Sequence, residues 1–250
     1  MNLLAVDIGN TNITLGLFRG RALSRVFNIP TARYCLGKLK KTLGNAAVED
    51  AIICSVVPVV TGKLAKEILK ITGKRPYIIG KDITVPIKNL YRNPKQVGQD
   101  RLVNAYAATR LYNAPLIAID FGTAVTFDII SRKKEYSGGM IIPGLRISLE
   151  ALNRHTALLP KVKLEPPDEF IGKDTKTSML SGIIFGFASL AKGLVKDIKE
   201  RVGKGATVVL TGGNSRFIAG YLAGGLKLEP DLTLKGLNLI YENIICKPRA

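Results

Sequence analysis

The sequence predicts an α/β fold built from two duplicated halves. Apolar, β-branched runs alternate along the chain with segments of helical periodicity, the pattern of an α/β protein. A strand ending in Asp-x-Gly opens the chain and recurs near its middle, and an internal repeat defines architecture before any other signal does. No low-complexity stretch interrupts either half.

The elements follow in order. Leu3-Leu4-Ala5-Val6 is a continuous apolar run, as a buried strand is. Asp7-Ile8-Gly9-Asn10-Thr11-Asn12 is turn chemistry, and Ile13 to Phe18 has the β-branching of a second strand. Ala51 to Val57 reads as another buried strand. Pro58 then opens a helix that sets Leu64, Ile68 and Leu69 on one face. Pro76 to Ile79 is a short strand. Gly98 to Tyr112 spaces Leu102, Ala105, Tyr106 and Thr109 as a helix does. Leu116-Ile117-Ala118-Ile119 is a strand leading into Asp120-Phe121-Gly122-Thr123. Val125 to Ile130 and the run around Met140 are further strands. Thr175 to Arg201 reads as one long helix, weakened by Gly182, Gly186 and Gly193. Ala206 to Leu210 is a strand ending in Thr211-Gly212-Gly213, and Leu232 to Ile245 is a closing helix. Lys81 to Gln96 and Leu159 to Asp174, rich in Pro and charge, are the expected loops.

Composition narrows the function classes. The 250 residues suffice for one large domain or two small ones with real cores. No unbroken apolar run reaches the ~20 residues of a membrane span. The start, Met1 to Val6, lacks the basic region of a signal peptide. Membrane and export are therefore set aside. Cys35, Cys54 and Cys246 are an odd set without metal-ligand spacing, which suits a reducing cytoplasm. The single histidine, His155, has no nucleophile near it in sequence and reads as a structural or surface residue. The net charge of +18 admits nucleic acid or small anionic ligands. The basic residues are scattered: the densest group is Lys38, Lys40 and Lys41, and no aromatic residues interleave with them to stack bases. Small anions are the better reading.

The repeat carries the chemistry. Leu3 to Thr11 and Leu116 to Ala124 each run from an apolar strand through Asp-x-Gly to a small polar turn. Such a glycine lets backbone approach an anion closely, and Asn and Thr add neutral donors for phosphate oxygens. The Asp cannot bind phosphate itself, so its natural partner is a divalent cation or the water around one. Two ordinary hairpin turns would use the same residues, but the doubling after two buried strands favours function. No Gly-Lys is followed by Ser or Thr, and no Gly-x-Gly-x-x-Gly occurs, so the common nucleotide loops are absent.

This layout resembles the superfamily of actin, sugar kinases and Hsp70, with Asp7 to Asn12 as first phosphate loop, Asp120 to Thr123 as second and Thr211-Gly212-Gly213 as adenosine motif. Within it, five segments in order resemble type III pantothenate kinases: Asp7 to Asn12, Gly98-Gln99-Asp100-Arg101, Asp120 to Thr123, Gly138 to Gly144, and Gly172-Lys173-Asp174-Thr175 with Ser181-Gly182. That family usually has Asn where Asp174 stands and Ala or a similar residue where Gln99 stands.

The resemblance implies two ribonuclease H-like halves, 1–113 and 114–250, hinged near residue 113, with the active site in the cleft between them and closure excluding water. It implies phosphorylation of pantothenate by ATP to 4′-phosphopantothenate, the opening step of coenzyme A synthesis, in a cytoplasmic homodimer. Asp100 would be the catalytic base, though a helix-capping Asp fits the same place. Arg101 would bind the substrate's anionic end or orient Asp100. Tyr91, Gly98, Gln99 and Thr175 complete the substrate set, with Thr175 donated across a dimer interface. A packed aromatic and a helix-start residue are the plainer readings of Tyr91 and Thr175. ATP would meet Asp7, Ile8, Gly9, Asn10, Thr11, Asn12, Ile13, Thr14 and Thr123. Asp7 would act through Mg2+, and Asp120 would bind a monovalent cation, K+ or NH4+.

Overall fold

The computed structural model describes residues 2–222 and 224–246. They form two compact units. Residues 2–111 with 231–246 make the first and Tyr112–Pro230 the second.

The first unit holds a five-stranded sheet in the order β3-β2-β1-β4-β5. Its strands are β1 (Asn2–Ile8), β2 (Asn12–Arg19), β3 (Ala22–Pro30), β4 (Asp50–Ser55) and β5 (Tyr77–Ile78). β1 runs antiparallel to β2 and parallel to β4. Its apolar residues are buried on both faces, which is why they read as a continuous run. Two short helices, α1 (Lys38–Leu43) and α2 (Pro58–Thr72), cover the sheet through Leu39, Leu43, Leu64 and Ile68. Leu69, expected on that buried face, is 38% exposed, because Glu67 is buried in its stead. The Glu67 carboxylate accepts the Tyr34 hydroxyl at 2.7 Å and the Lys40 N–H at 3.1 Å, which satisfies it inside the layer.

α3 (Gln99–Leu111) is buried along nearly its whole length, and α7 (Leu232–Ile240) packs against it and against β1. Residues from 231 onward, assigned by sequence to the second half, thus belong to the first. The reason is their apolar face: Leu232, Leu234, Leu237 and Ile240 are all buried there. The expected helix to Ile245 ends in a π-turn over Tyr241–Ile245, where the Tyr241 hydroxyl donates to buried Asp50 at 3.0 Å.

The second unit repeats the topology. Its sheet order is β10-β9-β6-β7-β8, with β6 (Leu116–Phe121), β7 (Ala124–Ile130), β8 (Tyr136–Pro143), β9 (Thr207–Thr211) and β10 (Lys227–Leu228). β6 pairs antiparallel with β7 and parallel with β9, as β1 does with β2 and β4. Helices α4 (Leu145–His155), α5 (Thr175–Val202) and α6 (Ser215–Ala219) complete it. α5 is continuous despite its glycines. Asp174 and Thr177 form a capping box at its start, and Ile184, Ala188, Ala191 and Ile198 anchor it in the core. Among the described residues it is the one helix long and apolar enough to cross a membrane by length and composition, although its apolar residues form no unbroken run. Near the unit's two ends, the Tyr112 hydroxyl meets Glu229 at 2.5 Å. Burial and this carboxylate push the Tyr112 phenol up to about 12.

Candidate functional site

In the first unit the geometry grows from the β1–β2 hairpin. β1 ends at Ile8 and β2 begins at Asn12, so Gly9, Asn10 and Thr11 form the connection. Gly9 N–H donates to the Asn12 carbonyl at 2.9 Å and closes it. Ile8 and Ile13 are wholly buried, so only their backbone can serve a ligand. Asn10, Thr11 and Asn12 are exposed, and Gly9 and Thr14 are half-buried. The Thr14 hydroxyl donates to Asn28 Oδ1 at 3.0 Å.

Asp7 stands at the carboxyl end of β1, level with Cys54 on the parallel neighbour β4. Asp100 lies in the first turn of α3, which also packs on β4. The Cys54 thiol is fully buried, and its ionisation is pushed well above the usual range, first by that burial and then by the charges of Asp7 and Asp100. The charges of both carboxylates are thus felt at this one thiol. The helix begins at Gln99, so Asp100 is not its cap. Asp100 Oδ1 accepts the Arg101 N–H at 2.9 Å. A Cβ at Gly98 would come within 2.5 Å of that oxygen, so only glycine leaves the carboxylate its place. Burial raises the Asp100 carboxyl above the ordinary Asp value, partly offset by the Arg101 N–H and guanidinium. Arg101 itself is buried. The Gln99 side chain packs over Gly80. Tyr91 is half-buried in the irregular segment before α3, its N–H donating to Asn89 Oδ1 at 3.0 Å.

In the second unit Asp120 ends β6, level with Thr211 on the parallel neighbour β9. Its Oδ1 is closely cradled: a Cβ at Gly212 would lie 2.2 Å from it, and one at Gly122 3.1 Å. Gly212 has φ +90°, which an L side chain rarely adopts. Thr123 is exposed at the tip, and its carbonyl accepts the Gly144 N–H at 3.1 Å. Thr175 lies apart from this turn in the sequence, at the start of α5. It lines a cleft of about 610 Å³ with Leu152, Leu159, Lys173, Asp174 and Ser178. The ion pairs Lys176–Glu165 at 2.6 Å and Lys173–Glu169 at 2.9 Å pin the preceding loop beside it. His155 is exposed at the end of α4.

The structure thus gathers Asp7, the Gly9–Asn12 turn and Asp100 in one unit, and Asp120, Gly122 and Gly212 in the other. Sequence reasoning missed Cys54 as the neighbour of both carboxylates, Gly144 as the support of Thr123, and Thr31, whose hydroxyl donates to the Gly9 carbonyl at 2.7 Å. The alternation of Phe27 and Ile29 in β3 was the available signal for the strand that leads into Thr31.

Comparison with known proteins identifies the family and the fold. The family model of type III pantothenate kinase matches residues 3–197. The type III pantothenate kinase of Agathobacter rectalis is 40% identical over 250 residues, covering 96% of each chain. Among solved structures, the activator of 2-hydroxyisocaproyl-CoA dehydratase from Clostridium difficile aligns with a TM-score of 0.58 at 12% identity, covering 100% of this chain and 99% of that one. A ROK family glucokinase from Streptomyces griseus aligns at 0.53 and 13% identity, covering 96% and 99%. These distant likenesses carry the fold, two α/β halves of the actin, sugar kinase and Hsp70 type. With the family model and a full-length relative at this identity, the chain belongs to the type III pantothenate kinase family.

Proposed function

We infer that this chain carries out its family's reaction, transfer of the γ-phosphoryl group of ATP to pantothenate to give 4′-phosphopantothenate, the first step of coenzyme A synthesis. The observation that carries the reading is the glycine turn with exposed polar residues that follows Asp7 at the carboxyl end of β1, in the unit that also holds Asp100 in the first turn of buried α3.

The roles follow from chemistry. Asp100 accepts the proton of the attacking hydroxyl, and burial makes its carboxylate a stronger base than an exposed Asp. Arg101 either takes the substrate carboxylate through its planar fork or orients Asp100. Tyr91, Gly98, Gln99 and Thr175 contact pantothenate. The backbone of residues 7–14 and Thr123 meet ATP.

A kinase of this family takes ATP with a divalent metal ion. Mg2+ is our reading, and when bound it neutralises charge on the β- and γ-phosphates. Among the described residues no group of three or more His, Cys, Asp or Glu could cage a metal. That fits an ion carried by the nucleotide and met by one carboxylate, Asp7, through water. The glycine cradle around Asp120 Oδ1 fits a carboxylate committed to a weakly hydrated monovalent cation, K+ or NH4+.

We place the enzyme in the cytoplasm as a homodimer. Only 33% of the most apolar window of α5 is buried, Gly182, Gly186, Ser189 and Gly193 lie exposed along it, and Ile141 on β8 is 62% exposed. A second copy of the chain would cover these surfaces.

The test is ATP consumption with pantothenate under varied cations, for the parent and Asp100→Asn. We expect potassium-dependent turnover that falls roughly 10²- to 10⁴-fold in the variant. The parent's acid limb should lie above the usual Asp range. The sign for stability is opposite to that for activity. A raised carboxyl pKa contributes stability below the unfolded value near ~3.9 and loses it as pH rises through the folded one. Above the folded value the ionised group is a net cost, so Asp100→Asn should melt no lower than the parent. Undiminished turnover in Asp100→Asn would overturn the assignment of the base, and no turnover in a folded parent would overturn the reaction.

A further inference from the structure

We propose that Thr31 is a positioning residue of the nucleotide site: its hydroxyl and backbone N–H hold the carbonyls of the β1–β2 turn aside, so that the turn presents N–H groups to the phosphates. The proposal rests on the reading that residues 9–12 receive ATP.

The carbonyls of Gly9, Thr11 and Asn12 in this turn have defined partners. The Thr31 hydroxyl donates to Gly9 at 2.7 Å, the Thr31 N–H donates to Thr11 at 2.9 Å, and Gly9 N–H takes the carbonyl of Asn12 at 2.9 Å. Ile8, just before, accepts the Val56 N–H at 3.1 Å. A trans peptide unit is planar, so the carbonyl of one residue and the N–H of the next point in opposite directions. With the Gly9 carbonyl drawn toward Thr31, the N–H of Asn10 is turned the other way. With the Thr11 carbonyl drawn there too, so is that of Asn12. An anion needs donors directed at it and carbonyl dipoles directed elsewhere. The hydroxyl of Thr31 fixes the first of these peptide units.

The molecule contains its own control. Thr31 follows Pro30, which pairs with Asn12. In the second unit Gly144 follows Pro143, which pairs with Ala124. Both residues give their N–H to the tip of the neighbouring hairpin, Thr31 to Thr11 and Gly144 to Thr123. At Gly144 a Cβ would lie 2.2 Å from the Thr123 carbonyl oxygen, so no side chain fits. The first hairpin has Gly9, Asn10 and Thr11 between its strands and the second only Gly122 and Thr123, and the extra residue makes room for a hydroxyl. The side-chain bond exists only at the turn read as the phosphate loop.

The experiment compares the parent, Thr31→Val and Thr31→Ser. Thr31→Val keeps the β-branched shape and the N–H but loses the hydroxyl. We expect its KM for ATP to rise about three- to tenfold, the scale of one hydrogen bond, with KM for pantothenate and the melting temperature unchanged. Thr31→Ser should restore the parent value. The proposal falls if KM for ATP is unchanged in Thr31→Val, if Thr31→Ser is equally impaired, or if both KM values rise together with a lowered melting temperature. Hydrogen exchange over residues 2–18, with and without a non-hydrolysable ATP analogue, separates this from the parent reading. No protection of this segment in the parent would sink the phosphate-turn assignment. Protection that is identical in the parent and Thr31→Val would sink the role of Thr31 alone.

Discussion

The two units share one strand order and put an aspartate at the same point, the carboxyl end of the strand flanked by one antiparallel and one parallel neighbour, yet they surround it differently. Asp7 has Cys54 beside it and a longer hairpin whose polar residues are exposed. Asp120 has Thr211 beside it, a hairpin one residue shorter, and two glycine backbones closed over one carboxylate oxygen. Duplication fixed where the carboxylates stand. What each can hold depends on the next shell: open backbone donors in the first unit, a close cradle in the second. The difference continues into the core. Gly16 on β2 faces Ala5, and Asp128 on β7 faces Ala118, so the two occupy equivalent places. At Gly16 the gap admits Leu234 of α7. At Asp128 the place is filled by a carboxylate that accepts the Tyr136 hydroxyl at 2.9 Å and that of Thr126 at 3.1 Å.

Substitutions can break this contrast, and the largest effect should come from the cradle. Gly212→Ala adds a Cβ 2.2 Å from Asp120 Oδ1 at φ +90°. Strain of about 1–3 kcal/mol is expected from the backbone alone. Turnover should drop at least ~100-fold, since a displacement of about 1 Å at a site costs that much. Gly9→Ala, where the nearest atom would be 3.2 Å away, should stay within about threefold. Equal loss in both, measured as kcat, would erase the distinction between an open and a closed turn. Tyr136→Phe should cost about 1–3 kcal/mol, because the buried Asp128 carboxylate loses a partner. Chemical denaturation would show it, with KM for either substrate unmoved. The smallest effect should be Gly16→Ala. Its Cβ would meet the flexible end of Leu234 at 2.9 Å, so a loss near ~1 kcal/mol is expected, confined to the first unit.

What could be read from sequence was whatever local chemistry dictates. The Asp-x-Gly turns, the buried strands and the long helix are specified by neighbours a few residues apart, and the structure has them where periodicity placed them. The roles assigned to the site residues came from resemblance, because the polar residues of these turns would serve an ordinary hairpin as well. What could not be read depends on distance along the chain. β3 is an edge strand with most residues exposed, so its alternation is faint, and neither it nor Thr31 just beyond its end was read from the sequence. The Asp7–Cys54–Asp100 grouping needs three elements to meet at β4. Leu69 misled because Glu67, a charged residue, took the buried place, for which Tyr34, far back in the sequence, had to supply the partner. The return of α7 to the first unit has no local signature at all.

That return orders events at the ribosome. The second unit is one continuous stretch, Tyr112–Pro230, and can complete its sheet as soon as Pro230 has emerged. The first unit, although most of it is synthesised earlier, lacks the helix that covers β1 and α3 until residues 231–246 arrive. Until then the faces that receive Leu234, Leu237 and Ile240 are bare, and Asp50 waits for Tyr241. The earlier-born unit is therefore the later to mature, and the carboxylates Asp7 and Asp100 it carries gain their final surroundings only once residues 231–246 have been made.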